Sequence, residues 1–438
     1  MTNSAAGARR PLRAVVVGAG ICGCSAAAAL RRRWGPDAEI EVFDSQPRVG
    51  GRIRRQQVAG IDVETGASLF HSGNRLLTES ARESGLTILD AAEGRRSVGI
   101  WDGRRLLLRT GRGKVEDRLR LLGRYRLCLT RSSRLVVRMV ADLETVYAPL
   151  SRGQWWSGPE ELLGAAGLDE LARESAQAYL RRRAVGGRFV TEFADGVSRN
   201  NYGQDATQLN AFAELVSLAG AGLGGGTLHR IGEGNSRICD GLLHRAGARL
   251  RLNAAVGQLQ RSGRDWVVLG DTFEPVRADV VVLAAPQELS SIRLPPDTTV
   301  PVDRHYKTIH AVFVIGTPRS GSIGPNTPPD FILTTRAVGD FYSVERLAGG
   351  ADGALYKLFT PGEVSEQLLH RLFARVDEVV TVEWSAYPLL TPTRPWPSFR
   401  LAEGLYYPSA MEHAVSTMET QAIAGVAAAN LAAHDSTT

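Results

Sequence analysis

Between an apolar run, "AVVV" at residues 14–17, and an alanine-rich stretch, "CSAAAALRRRW" at 24–34, the chain places Gly18, Gly20 and Gly23. Four consecutive apolar residues read as a strand of a buried parallel sheet, and the small residues that follow read as a helix able to lie close against it. A GxGxxG turn at that junction restricts what the chain can become. The first glycine makes a tight turn, the second lets the backbone approach a pyrophosphate, and the third lets helix and strand touch. Amides at the helix start then hold the phosphate, helped by the helix dipole. The motif is short, so its surroundings decide. "EIEVFDS" supplies a second strand ending in Asp44, 21 residues after Gly23, where a carboxylate accepts hydrogen bonds from a ribose. A dinucleotide-binding βαβ unit is expected here.

A chain of 438 residues, 43% hydrophobic and 22% charged, is globular and long enough for two or three domains. No apolar run approaches the roughly 18 residues of a membrane span, and "MTNSAAGARRPLR" has no hydrophobic core segment, so a cytoplasmic protein is expected. Cys22, Cys24, Cys128 and Cys239 are scattered, without the paired spacing of a metal site; neither a disulfide nor a zinc ion is expected. The net charge of +6 is concentrated. Residues 112–138 hold eight arginines and one lysine against two acids. Such a run serves as a solvated helical face with arginine stems covering apolar surface, or as a basic amphipathic face for peripheral contact with an anionic membrane. Nucleic acid is disfavoured, because Tyr125 is the lone interleaved aromatic and no nucleic-acid motif occurs elsewhere.

The residues after the ribose carboxylate indicate which dinucleotide binds. "DSQPRVGGRIRRQQVAGIDVETGASLFH" carries Gly50, Gly51 and Arg52, then a hairpin and a second glycine turn at Gly66 and Ala67. This resembles the glutathione-reductase-like FAD proteins, which include flavin amine oxidases, phytoene desaturases and prenylcysteine oxidases. The resemblance implies FAD as cofactor. It also implies an α/β fold, a glutathione-reductase-type FAD-binding Rossmann domain with an inserted α+β substrate-binding domain, as in amine oxidases. "NAAVGQLQRSGRDWVVLGDTFEPVRADVVVLAAP" is similar to the family's returning β-ribbon, with Val256 facing adenine. "EGLYYPSAMEHAVSTMETQAIAGVAAANL" would bring Glu412, Ser416, Met418 and the start of a final helix to the flavin.

A narrower resemblance runs from about residue 14 to 434, to the prenylcysteine oxidases, also called prenylcysteine lyases. It is carried by "RNNYGQD" (199–205), "LNAFAELVSLAGA" (209–221), "GEGNSRICDGLL" (232–243), "EWSAYPLLTPTRPWPSFRLAEGLYY" (383–407) and "SAMEHAVSTMETQAIA" (409–424), in this order. In that family FAD takes a hydride from the carbon next to sulfur in a prenyl thioether. Water then splits the carbon–sulfur bond to thiol and aldehyde, and O2 becomes hydrogen peroxide. Such chemistry needs positioning and water exclusion more than a nucleophile, and no serine elbow or metal cluster is visible in the sequence.

The resemblance gives three catalytic candidates. His71 follows the Gly66 turn near the flavin, or else braces that turn. Tyr202, with Gln204 of the same motif, lines the cavity or holds a helix junction. His310, in "RHYKTIHAVFVIG", falls nearer than Lys307 to the position of the amine oxidases' lysine. The FAD domain is expected from residues 12–73, 226–290 and 383–438, and the substrate domain from 74–225 and 291–382. Two departures bear on the substrate. Ala67 stands where relatives tend to carry glycine, and "PSAMEH" stands where they have an asparagine-glycine run. The arginine- and alanine-rich composition also points to a GC-rich bacterial gene, so a related cysteine thioether is plausible as substrate. The alternatives are an amine oxidase or desaturase on the same fold, and a non-catalytic prenyl-binding protein, which would need no intact dinucleotide site.

Overall fold

The computed structural model describes residues 10–437, apart from 59, 92–96, 112, 299, 301–303, 325, 326, 351 and 352. At its centre β1 (Arg13–Val17), α1 (Ile21–Trp34) and β2 (Glu39–Phe43) form the βαβ unit that the glycine turn announced. β1 lies parallel between β2 and β3 (Val280–Leu283), with Ala14 opposite both Ile40 and Val280. Arg249–Arg251 extends the sheet beside β2, and Leu405–Tyr406 and Arg400–Ala402 extend it beyond β3.

The alanine content of α1 has a packing reason. Every residue from Ile21 to Leu30 is buried, because the helix is enclosed by the sheet, by Arg237–Ala246 and by the final helix, Met418–Asp435. The approach to the final helix is so close that a Cβ on Gly425 would lie 2.1 Å from the carbonyl oxygen of Cys22. Helix faces built from Ala and Gly permit this separation, and larger side chains would force the layers apart.

The second large sheet has seven strands; β5 (Phe373–Pro388) forms one edge and pairs antiparallel along the whole of β4 (Tyr306–Pro318). Its far edge comes from Val98–Trp101 and Leu106–Arg109, two strands that precede the helices from Lys114 onward. The boundary expected at residue 383 falls inside β5, which continues in this sheet to Pro388.

Among the helices between residues 75 and 225 are α2 (Lys114–Tyr125), α3 (Leu127–Glu144), Asp195–Tyr202 and Ala211–Gly220. They are tied to the C-terminal segment by side chains. Asn210 caps its helix by accepting from the Ala213 amide and donates 2.9 Å to the Ala414 carbonyl, while Glu419 accepts from the amides of Leu76 and Leu77.

Candidate functional site

The glycine turn is built as the motif demands, but its three glycines have different tasks. Gly18 has φ +109°, and a Cβ on Gly23 would sit 2.0 Å from the Gly18 carbonyl oxygen, so both are required by the backbone itself. Gly20 has an ordinary φ of −76°, and its Cβ would meet nothing nearer than the Gly50 oxygen at 3.9 Å. The fold alone tolerates a side chain there. The room in front of Gly20, at the start of a helix with no side-chain cap, is the space a pyrophosphate would take.

Asp44, nearly buried, closes this turn by accepting from the amides of Ala19 at 2.7 Å and Gln46 at 2.8 Å. The Ala254 amide donates to the Asp44 carbonyl, which brings the segment leading to Val256 alongside. Gly50 forms a bridge with Gly20, and its amide donates to Ala19. Gly51 follows at φ +56°. The second turn approaches closely too: a Cβ on Gly66 would fall 2.1 Å from the Arg52 carbonyl oxygen, to which the Ala67 amide donates. Asn235, from the "GEGNS" motif, pins both ends of this region by donating to Ala67 and, through its amide, to Glu64.

Arg52 and Glu412 meet across 360 residues of sequence. Glu412 is fully buried and also accepts from the Tyr306 hydroxyl and the Ser416 hydroxyl, with an Arg304 nitrogen 3.9 Å away. Burial pushes its carboxyl toward the neutral form, but Arg52 and Arg304 outweigh that and hold it below the usual carboxylate range. The same segment leaves two buried polar atoms without a partner among the described residues, Nε2 of His413 and Nε2 of Gln421. Burial, reinforced by Arg304, lowers His413 to about 3, so its ring is neutral. Open space before Gly20 together with orphaned donors and acceptors beside Glu412 fits an extended polar cofactor reaching from the glycine turn to this segment. The first turn of the final helix, starting at Met418, is partly self-capped: Thr417 and Thr420 form a capping box, so not all its amides are free.

Of the catalytic candidates, the structure brings one to this segment. The Tyr202 hydroxyl donates to the Ser416 carbonyl at 3.3 Å, its ring meets Tyr387 edge-on at 5.2 Å, and burial raises its phenol further. Gln204 holds a junction, accepting from the Leu390 amide at 3.0 Å. His71 braces its turn: Nδ1 accepts from the Gly73 amide and Nε2 lies 2.7 Å from the Gly225 carbonyl, so both ring nitrogens are engaged by backbone. His310 lies on the other face of its strand. On β4 it shares a face with Val312 and Val314 in the cluster under the helix Glu366–Leu372, its Nε2 3.4 Å from Glu383. Ile309, Ala311 and Phe313 occupy the face turned toward the hairpin and Tyr387. Lys307, not His310, reaches Gly203, beside Tyr202.

Several site residues have no role that their place in the sequence reveals, although Trp384 and Tyr387 stand in the "EWSAYPLL" motif. Tyr387, Trp384 and Tyr342 form the aromatic wall around Ile309. Lys357, buried on the strand Gly353–Thr360, donates to the Glu64 carbonyl at 2.8 Å, with Phe359 at 4.6 Å, and burial lowers its pKa. Only their pairing across the sheet brings them together.

The sequence model of the prenylcysteine lyase family matches residues 112–438, and that of an NAD(P)-binding Rossmann-like domain matches residues 16–83. A farnesylcysteine lyase of Arabidopsis thaliana is 30% identical over 440 residues, covering 95% of this chain and 87% of its own. Human prenylcysteine oxidase 1 is 29% identical, covering 97% and 89%. The cyclohexylamine oxidase of Brevibacterium oxydans shares the fold, with a TM-score of 0.65 at 16% identity, covering 98% of this chain and 100% of its own. With a dinucleotide cradle at its N-terminus and this match along most of its length, the chain belongs to the prenylcysteine lyase family.

Proposed function

We propose that the protein is an FAD-dependent oxidase of a prenyl thioether, S-prenylcysteine or a related S-substituted cysteine, with O2 as electron acceptor. The observation that carries this reading is the similarity to a farnesylcysteine lyase along 95% of the chain. Bound FAD would supply the two-electron acceptor for the carbon next to sulfur. The reaction balances as thioether plus water plus O2 giving aldehyde, thiol and hydrogen peroxide.

The chain's own residues position and exclude. The Gly18–Gly23 turn and Asp44 hold the dinucleotide end, and Glu412 fixes Arg52 so that its charge stays beside the second turn. Tyr202 and Tyr387, with Ile309 and Trp384, form an apolar wall that orients a prenyl chain and keeps water scarce. His413 is neutral with an open ring nitrogen, suited to hold a water without becoming charged. A cytoplasmic location belongs to the same reading, and the four unbridged cysteines speak for it.

The test is anaerobic mixing of the purified flavoprotein with farnesylcysteine, with a panel of amines as controls. Loss of flavin absorbance with the thioether, release of aldehyde and cysteine, and peroxide on admitting air are expected. Bleaching by amines alone, or by nothing, would overturn the reading.

A further inference from the structure

The basic segment noted in the sequence folds into α2 and α3, joined at a corner where Arg126 has φ +50°. The four most exposed large apolar side chains among the described residues all lie on this pair: Val115 (75%), Leu119 (64%), Leu127 (63%) and Val137 (50%). Val115 and Leu119 are one turn apart on α2, and Leu127 begins a face of α3 continued by Arg131, Arg134 and Arg138. Arg118, Arg126, Arg131 and Arg134 are exposed and make no ion pair with a described residue.

A second, distant segment adds to the same face. Arg181, Arg183 and Arg188 are exposed, and the segment is held against α3 by Arg131, which donates to the Ala184 carbonyl at 2.9 Å. Beside the corner opens a cavity of ≈ 360 Å³ lined by Arg124, Tyr125, Leu127 and Phe189, among others. The inner side of α3 packs Val136 and Val140 toward Gly224 and Gly73, on the loop that His71 braces. This face and the turn that His71 braces therefore lie on opposite sides of one helix.

Scattered exposed leucines need no explanation, but a cluster of aliphatic side chains among unneutralised guanidinium groups does. A second copy of the chain would bring like charge against like charge. A nucleic acid would meet the cations but leave four aliphatic side chains unused. A lipid surface satisfies both, with aliphatic side chains below the headgroups and arginines at the phosphates. No helix among the described residues is long and apolar enough to cross a membrane. We propose that α2, α3 and the segment 181–188 dock the protein peripherally on an anionic bilayer. The inference rests on this surface and extends the proposed reaction, since a prenyl thioether dissolves in such a layer.

The experiment is flotation of the full-length protein with vesicles of phosphatidylcholine alone or containing about 30% phosphatidylglycerol. Binding to the anionic vesicles at least about tenfold tighter than to neutral ones, weakened by salt, is expected. The double variant Leu119→Asp/Leu127→Asp should lose about tenfold in binding with an unchanged melting temperature. Arg131→Glu/Arg134→Glu supplies an independent disruption. Absence of binding, equal binding to both vesicles, unaltered binding by both variants, or displacement of the vesicles by duplex DNA at equal concentration would overturn the proposal. So would a dimer that the leucine variant dissociates. Flavin bleaching by farnesylcysteine in detergent-free solution is read separately, so docking without turnover overturns the reaction alone, and turnover without docking overturns the surface alone.

Discussion

The carboxylate of Asp44 accepts the amide proton of Ala19 at 2.7 Å, so the group expected to meet a ribose also closes the turn on which the phosphates would rest. Its other oxygen takes the Gln46 amide. In Asp44→Asn one of these two amides must face an NH2 group. The variant should lose about 1–3 kcal/mol of stability as well as flavin, the stability loss appearing in thermal melts of protein stripped of cofactor. A variant that loses flavin with an unchanged melt would show that the bonds to Ala19 and Gln46 carry no stability.

Gly20 and Gly23 should respond oppositely to substitution. Gly20→Val should yield folded protein without flavin, because the side chain enters space that the fold leaves open. Gly23→Ala should fail to fold or melt far lower, since its Cβ collides with the Gly18 carbonyl. Circular dichroism and flavin content of the two purified variants separate the two effects. Full flavin occupancy in Gly20→Val would remove the pyrophosphate from this turn.

Glu419 gives stability a pH dependence. Burial raises its carboxyl to about 7 from 4.5, against hydrogen bonds from Leu76, Leu77 and Tyr147. Between those values the folded chain keeps a proton that the unfolded chain releases. The contribution is therefore complete below 4.5 and lost as pH rises through 7. It amounts to about 3 kcal/mol, and Glu419→Gln should flatten that slope even if it lowers stability throughout. Urea midpoints across this pH range, wild type against variant, read the difference.

Glu214 is buried with its carboxylate oxygens short of hydrogen bonds, and burial together with Asp195 raises its carboxyl well above the usual range against the opposing pull of the Ser198 hydroxyl. Replacing an unsatisfied buried acid by an apolar group of similar size relieves its desolvation cost. Glu214→Leu should raise stability by about 1–3 kcal/mol, measured as a higher urea midpoint. A lower midpoint would mean that the carboxyl has a partner in solution, such as a bound water.

The nucleotide-binding unit was legible because its demands are local: Gly18 needs a positive φ, Gly23 has no room for a Cβ, and Asp44 stands at a strand end a fixed distance on. The placement of His310 was not. The extra residues in the pairing of β4 with β5 lie on β5, so β4 alternates regularly past His310, and which of its two faces meets the site is set by what packs on each. Val98–Trp101 and Leu106–Arg109 were hidden for a related reason. Each has four residues, and the first finds its partner strand at Phe331–Thr334, far along the chain. The meeting of Arg52 with Glu412 likewise depends on the final fold, although each residue stood in a motif of its own.

The ladder between β4 and β5 extends from Tyr306 to Pro318 with bulges on β5, and at its inner end Arg52 donates to the Ala386 carbonyl at 2.9 Å. The seam between nucleotide unit and second sheet is thus bolted by the same strand that walls the site.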